Sequence, residues 1–346
     1  LTKDRLTTLP KQRRAFTIIA FIAHSYVWCD PQNVRSWLPA GLSVPWVQLA
    51  DLLELKPVVC CASVVSWNWR KIDQDGPLDL SNLAILQTFA GSLDEAWFYL
   101  ITAGVEARAV DMLRCIPSTL QAIEDRNHAQ LRADLQIYLD VISDLTPILR
   151  RMYEHCDPYV FYWKIHPYLA GWSNQAKAGL PHGLLYRGVD DTDLDVNNPR
   201  DAEALLARHR QYAGGSAAQS TVIQVFDILL GIQHYPTGLP KAERSEAQRT
   251  DRSLKTGNYL LAMRQYMPGP HRRFLEDFDQ ICHLREYVQS LVPSPSSATE
   301  HLSEEEVSLR TDIYQLYNAC VERIGHFRDA HIQMVTRYII SPARRG

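Results

Sequence analysis

The stretch "SAAQSTVIQVFDILLGIQ" runs from Ser216 to Gln233. It opens with Ser-x-x-Gln, the capping-box pattern in which a hydroxyl accepts from the third N–H and the later side chain reaches back. The residues from Thr221 onward are apolar nearly all round a helical wheel, broken mainly by Gln224 and Asp227. A surface helix carries an apolar stripe on one side; a helix apolar on every side is enclosed by others. The stretch therefore predicts a helix buried inside a bundle, and an all-α fold.

The flanking sequence has the same period. Ser92-Leu-Asp-Glu95 is a second capping box, and it predicts a helix to about Arg114 that stops before Pro117. Leu120–Leu149 reads as further helix, with Leu131, Leu135, Tyr138, Leu139, Ile142 and Leu145 on one stripe. Another helix is expected from about Pro158 to Leu169, and a last one from near Glu304 to just before Pro342. The only strand-like run is "KPVVCCASVVSW" (Lys56–Trp67), for which helix serves equally well. Gly, Asp, Asn and Pro mark Asn174–Arg200 as a loop; Tyr235–Gly257 and the Pro/Ser-rich Ser290–Glu306 read likewise. Residues 1–90 hold several short segments and are expected to form a small N-terminal lobe, with residues 91–346 as a large helical domain.

The chain has 346 residues, 46% hydrophobic and 22% charged, with a net charge of -3. No basic excess points to nucleic acid or to a membrane surface. No apolar run reaches the roughly 18 residues of a membrane helix. The first fifteen residues are polar and basic, without a signal-peptide pattern. The seven cysteines show no CxxC and no paired spacing, which fits reduced core thiols. A cytoplasmic monomer acting on a small molecule is the expectation.

Four features could carry chemistry. His331 lies on a helix face with Ile324, Phe327, Met334, Val335 and Tyr338, where a leucine would be ordinary. Read alone, it is either a core histidine satisfied by a nearby acceptor or a metal or haem ligand, since haem takes a single imidazole and leaves no spacing motif. "YAGGSAAQS" (Tyr212–Ser220) has adjacent glycines ahead of a helix start, which suits either close approach to a ligand or a plain capped loop. "WFYLIT" (Trp97–Thr102) and "YVFYWKIHPYLAGW" (Tyr159–Trp172) are dense in aromatics, as core packing or as walls for a flat ligand. "DDTDLDVNN" (Asp190–Asn198) mimics a calcium loop, but Val196 stands where glycine is needed and the twelfth position is Ala202. There is no GxSxG, P-loop, GxGxxG or HExxH.

As an ordered set, several segments resemble the indoleamine 2,3-dioxygenase family: "SYVW" (Ser25–Trp28), "NWRKID" (Asn68–Asp73), "PLDLSNL" (Pro77–Leu83), "YLAGW" (Tyr168–Trp172), "GLLYRG" (Gly183–Gly188), "AGGSAAQS" (Ala213–Ser220), "FDILLGIQ" (Phe226–Gln233), "MRQYMPGPHRRFL" (Met263–Leu275) and "HIQMVTRYII" (His331–Ile340). The family's first few dozen residues have no counterpart in this sequence. The resemblance implies haem b held in a large helical domain under a smaller N-terminal lobe, with O2 as co-substrate and an indole-type substrate. It makes His331 the proximal iron ligand, Arg328 an arginine near a haem propionate and Asp227 an aspartate beside that arginine. Phe98 and Thr102 match distal residues, and Cys61, Val64, Val65, Tyr99 and Leu169 match the lining of the indole pocket. Gly215, Ser216 and Ala217 match a loop touching haem and substrate, and Tyr235–Gly257 a closing loop.

One position departs from the family pattern. Five residues after Phe161, which matches a distal phenylalanine, the family has an arginine that grips the substrate carboxylate; here it is His166. Arginine is a permanent cation with a bidentate fork, whereas histidine is mostly neutral at pH 7 with one donor. The exchange is worth about 1–3 kcal/mol for a bound carboxylate. The departure bears on the substrate, not on the haem. The implied reaction is dioxygenation across the C2–C3 bond of tryptophan or a related indole. Two other readings stay open: a haem monooxygenase or peroxygenase for another aromatic, in which His166 moves a proton, and a haem-binding sensor without turnover.

Overall fold

The computed structural model describes residues 6–234, 259–291 and 303–344. Nine helices of at least seven residues frame the described part: α1 (Leu9–Trp28), α2 (Ala40–Leu52), α3 (Leu93–Arg108), α4 (Val110–Glu124), α5 (His128–Arg150), α6 (Thr221–Leu229), α7 (Gly269–Ile281), α8 (Leu284–Ser290) and α9 (Glu304–Val335). Strands are confined, among the described residues, to two short pairs: Trp37–Leu38 runs parallel to Leu185–Tyr186, and Trp69–Lys71 antiparallel to Leu83–Ile85. The fold is all-α, as the periodicity predicts. No helix among the described residues is long and apolar enough to cross a membrane.

The most extensive helix pairing is α5 on α9, with α4 closing against the other side of α5. The stripe on α5 is the seam: Leu131, Leu135, Tyr138, Ile142 and Leu145 are fully buried. Buried Asp134 sits in the α4–α5 contact and accepts from Ser118 Oγ (2.8 Å), Thr119 Oγ1 (3.0 Å) and Gln130 Nε2 (2.9 Å), so its burial leaves no polar group without a partner. Helix α6 is enclosed as its composition requires, with Val222, Val225, Phe226 and Leu229 buried.

Several boundaries differ from the expectation, each for a physical reason. The Ser92 helix ends at Arg108 and restarts as α4, which carries Pro117 in its interior. A proline costs one helix hydrogen bond, and burial of Met112, Ile116, Thr119 and Ala122 outweighs that loss. Ser92 does cap Glu95 N, but the Glu95 carboxylate accepts from Phe89 N (2.6 Å) and Ala90 N (2.7 Å) instead of closing the box. The Leu120–Leu149 segment is two helices, because Asn127 caps a new start. The Pro158–Leu169 segment is helical but passes through a π-turn at Phe161–Ile165; Pro167 follows it and cannot supply the N–H of a regular turn. Ser216 and Gln219 form their capping box on a 3-10 turn (Ala217–Gln219), and α6 starts later, capped by Ser220. "KPVVCCASVVSW" is neither a strand nor an α-helix over most of its length: it contains a π-turn, Ala62–Ser66. The last helix runs through Pro342 by way of another π-turn, Thr336–Ile340. The expected loop Tyr235–Gly257 and most of Ser290–Glu306 lie outside the described residues.

One buried imidazole ties these segments together. His24 on α1 is fully buried. Its Nδ1 donates to Tyr168 O (2.9 Å) and its Nε2 accepts from Val59 N (2.9 Å). The carbonyl can only accept and the amide can only donate, so the partners fix one neutral tautomer. Desolvation pushes its pKa down from 6.5 to about 3. The unfolded chain therefore binds a proton that the folded chain refuses, so the stabilisation is fully present above pH 6.5 and is lost as the pH falls toward 3. Between pH 7 and pH 5 this linkage removes about 2 kcal/mol. Denaturant unfolding across that range is expected to show the loss, and His24→Gln, which cannot titrate, is expected to start less stable at pH 7 but with a visibly flatter pH dependence. An identical slope in both proteins would assign the linkage elsewhere.

Candidate functional site

Helix α3 provides one wall. Phe98, Thr102 and Glu106 are spaced four apart and share a face. The Thr102 hydroxyl donates to Phe98 O (3.1 Å), the back-bond typical of a helical threonine, which leaves its lone pairs free to accept. Glu106 is a member of this face that the sequence reading missed. Its carboxyl accepts from Ser220 Oγ, the cap of α6, and burial raises its pKa. The four-residue step from Thr102 was the signal that could have found it. Tyr99 points elsewhere: fully buried, it donates to Glu95 Oε1 (3.1 Å) and meets Phe21 edge-on at 6.4 Å.

The π-turn beyond Tyr159 brings the second wall. Phe161 lies 4.7 Å from Phe98, 5.9 Å from His166 and 5.6 Å from Tyr338, ring centroid to centroid. Tyr338 lies in the π-turn that follows α9, so this contact joins the C-terminal end of that helix to the second wall. The His166 ring stacks on Tyr162 at 5.9 Å, has no hydrogen-bond partner among the described residues, and is held neutral because burial lowers its pKa. The third wall is the π-turn at Ala62–Ser66, which packs on α3 with Cys61, Val64 and Val65 buried. Burial raises the Cys61 thiol well above its usual range, so it is an apolar surface and not a nucleophile.

The loop of Tyr212–Ala217 is zipped to Leu169–Ser173. Trp172 N and Ser173 N donate to Tyr212 O (2.7 and 3.0 Å), and Gly215 N donates to Leu169 O (3.0 Å). The two glycines of the loop do different jobs. A Cβ on Gly214 would meet Leu169 O at 2.1 Å and Gly171 N at 2.4 Å, and one on Gly171 would meet Gly214 N at 2.3 Å. Those backbones touch because neither residue has a side chain. A Cβ on Gly215 would meet only Val59 Cγ1 at 3.5 Å and Leu169 O at 4.0 Å, both ordinary contacts, and its φ is not in the left-handed region. Nothing among the described residues requires glycine at 215. The Ser216 hydroxyl accepts from Ala218 N (3.2 Å).

On the opposite side, α9 carries Arg328 and His331 one turn apart. Arg328 pairs with Asp227 Oδ1, and His234 Nε2 lies 2.7 Å from Asp227 Oδ2. Asp227 is buried, so the lone acid in the apolar α6 is matched by a charge; His234 is the partner that the sequence reading did not foresee. His331 is half-buried, has no hydrogen-bond partner among the described residues, and burial lowers its pKa. Among the described residues, no neighbour satisfies it as a core histidine would be satisfied. A neutral imidazole with a ring nitrogen unpaired among the described residues is what an iron ligand requires. These residues fit a haem: His331 to hold the iron, Arg328 to meet a propionate and Gly215 to admit a close approach.

The glycine geometry makes a direct contrast. Gly214→Ala is expected to cost about 4 kcal/mol, the upper range for one substitution, because backbone must part. Gly215→Ala is expected to change stability by less than about 1 kcal/mol while weakening haem uptake. Denaturant unfolding and haem titration of the two variants measure this, and equal stability losses would contradict it.

The indoleamine 2,3-dioxygenase family model matches the chain over residues 1–346. The chain is 35% identical to indoleamine 2,3-dioxygenase of Saccharomyces cerevisiae over 338 residues, 96% of this chain and 65% of the yeast protein. It is 33% identical to indoleamine 2,3-dioxygenase 2 of Homo sapiens, over 97% of this chain and 70% of the human protein. It is 32% identical to indoleamine 2,3-dioxygenase nanC of Aspergillus nanangensis, over 98% of this chain and 73% of that protein. The chain thus spans about two thirds of the length of the yeast relative and slightly more of the other two. With the ordered motifs and the helical site, this match establishes that the chain belongs to the indoleamine 2,3-dioxygenase family.

Proposed function

We propose that the chain binds haem b through His331 and, with O2, opens the C2–C3 bond of an indole to an N-formylkynurenine-type product. The observation that carries this reading is His331 itself: neutral, half-buried, uncommitted, and one turn from an arginine already oriented by Asp227. When bound, the haem supplies the redox chemistry with O2, and the protein supplies position and dryness.

The chain's own residues divide the remaining work. Arg328 offers a charge-assisted bond to a propionate while Asp227 keeps its guanidinium in place. Phe98 and Phe161, inclined at 50°, with the buried Val64 and Val65 opposite, hold a flat ring and exclude water. Because the Thr102 proton is committed to Phe98 O, this residue accepts a bond from the indole N–H and does not donate one. Leu169, Gly215, Ser216 and Ala217 close the side of the pocket, the Ser216 hydroxyl being its polar point. Tyr99 supports from behind, through Phe98 at 5.5 Å.

His166 sets the substrate class. It presents a neutral ring where a carboxylate would need a cation, so recognition rests on the indole ring and less on an amino-acid end. The uncommitted imidazole beside Phe161 also favours a second reading, a monooxygenase in which His166 carries a proton.

Turnover of indole, tryptamine and tryptophan in labelled O2 tests both. Two labelled atoms in the product are expected; one would establish the monooxygenase, and no turnover of any indole by the haem-loaded protein would refute the dioxygenase. His166→Arg is expected to lower the KM for tryptophan roughly ten- to a hundredfold and to leave tryptamine unchanged. In the unaltered protein, tryptophan binding is expected to strengthen only once the pH has fallen below the ordinary imidazole range, because burial delays the protonation of His166. Equal response of tryptophan and tryptamine to the arginine would show that His166 does not face the carboxylate.

A further inference from the structure

We infer that Gln219 is a positioning residue that sets the spacing between two walls of the ligand pocket. Gln219 is buried, 3% exposed. Its Oε1 accepts from Cys61 N (2.9 Å) and from Ser216 N (3.3 Å), while its Nε2 donates to Gly214 O (2.7 Å) and lies 3.9 Å from Met263 Sδ. Cys61 begins the segment that carries Val64 and Val65, and Gly214–Ser216 is the loop facing it. The two are 158 residues apart in sequence from Cys61 to Gln219 and meet through one carboxamide.

The partners leave no choice of side chain. Two amide N–H groups need an acceptor and one carbonyl needs a donor, so the orientation of the amide is fixed by its surroundings. Ionised glutamate would serve both N–H groups but would set a carboxylate against Gly214 O. Methionine, of similar size, would leave Cys61 N unpaired in a buried site and take the side-chain partner from the partly buried Ser216 N and Gly214 O. Arg328 and His331 belong to α9 and make no bond to Gln219. Loss of the carboxamide therefore acts on the ligand pocket and not on the iron ligand. The inference rests on the proposed indole site for its consequence, but the linkage itself does not depend on that reading.

The full chain, loaded with haem, tests this with Gln219→Glu and Gln219→Met. Hydrogen exchange is expected to speed up at least tenfold in peptides covering residues 60–66 and 213–217 of the methionine variant, with peptides from α5 and α9 unchanged. Haem uptake falls no further than in Gly215→Ala, and the spectrum of the His331-ligated iron is unchanged. The dissociation constant for indole, read from the Soret shift, rises at least tenfold, and in turnover KM changes more than kcat. The glutamate variant is expected to show the same weakening at pH 8.5 and to recover toward the unaltered protein by pH 6, because a protonated carboxyl again donates to Gly214 O. Unchanged exchange in both peptides would overturn the linkage, as would loss of protection spread through α5 and α9. Local loss of protection with indole binding within twofold at every pH would overturn the positioning role. If the unaltered protein takes up haem but shows no response to any indole, the proposed function fails while the exchange result still decides the linkage.

Discussion

The site depends on a place where two stretches of backbone touch with no side chain between them. Gly171 and Gly214 bring Leu169–Ser173 against Tyr212–Gly215 at distances that a single methyl group would forbid. Everything on the loop side of the pocket is registered by that contact. Leu169 O holds Gly215 N, Gln219 relays the loop to Cys61, and His24 holds Tyr168 O, just before the segment. Hydrogen bonds give direction to the arrangement, but steric permission comes first: without the two glycines the same bonds could not all form.

The second theme is neutrality. His24, His166 and His331 are all pushed toward the uncharged form by burial, and Glu106 and Cys61 are pushed toward theirs. The charged exception is Arg328 with Asp227, and there the acid is flanked by His234 as well. A pocket built this way offers a flat ring aromatic walls and a few directed polar atoms, with the Arg328 cation held by Asp227 on α9. That matches a large neutral macrocycle with anionic edges, and an aromatic substrate whose charge is not its main handle.

Much of the frame was legible in the sequence because it is local. The all-round apolar character of α6 announced a bundle, the α5 stripe became the main seam, and Ser92 caps the start of α3 as its pattern predicts. Asp227 and His331 stood out because each is polar on an apolar surface. What the sequence hid is non-local. Gln219 read as a capping residue, and its bond to Cys61 joins distant segments. Glu95 serves two backbone amides of the preceding loop, which no spacing rule describes. The three π-turns have little local signature apart from Pro167, since they arise where packing admits one extra residue per turn. Pro117 reads as a stop, although burial of the surrounding face carries α4 through it. The role of His331 is undecidable from its face alone; the family resemblance and the lack of a hydrogen-bond partner among the described residues favour a ligand over a core histidine.

The account stands on His331 as the iron ligand. The most direct measurement is the electron paramagnetic resonance and Soret spectrum of the haem-loaded protein beside His331→Ala, with and without added imidazole. The account predicts a histidine-ligated spectrum in the unaltered protein, its loss in the alanine variant, and its return when imidazole fills the space. A variant that keeps the same spectrum without imidazole would contradict it.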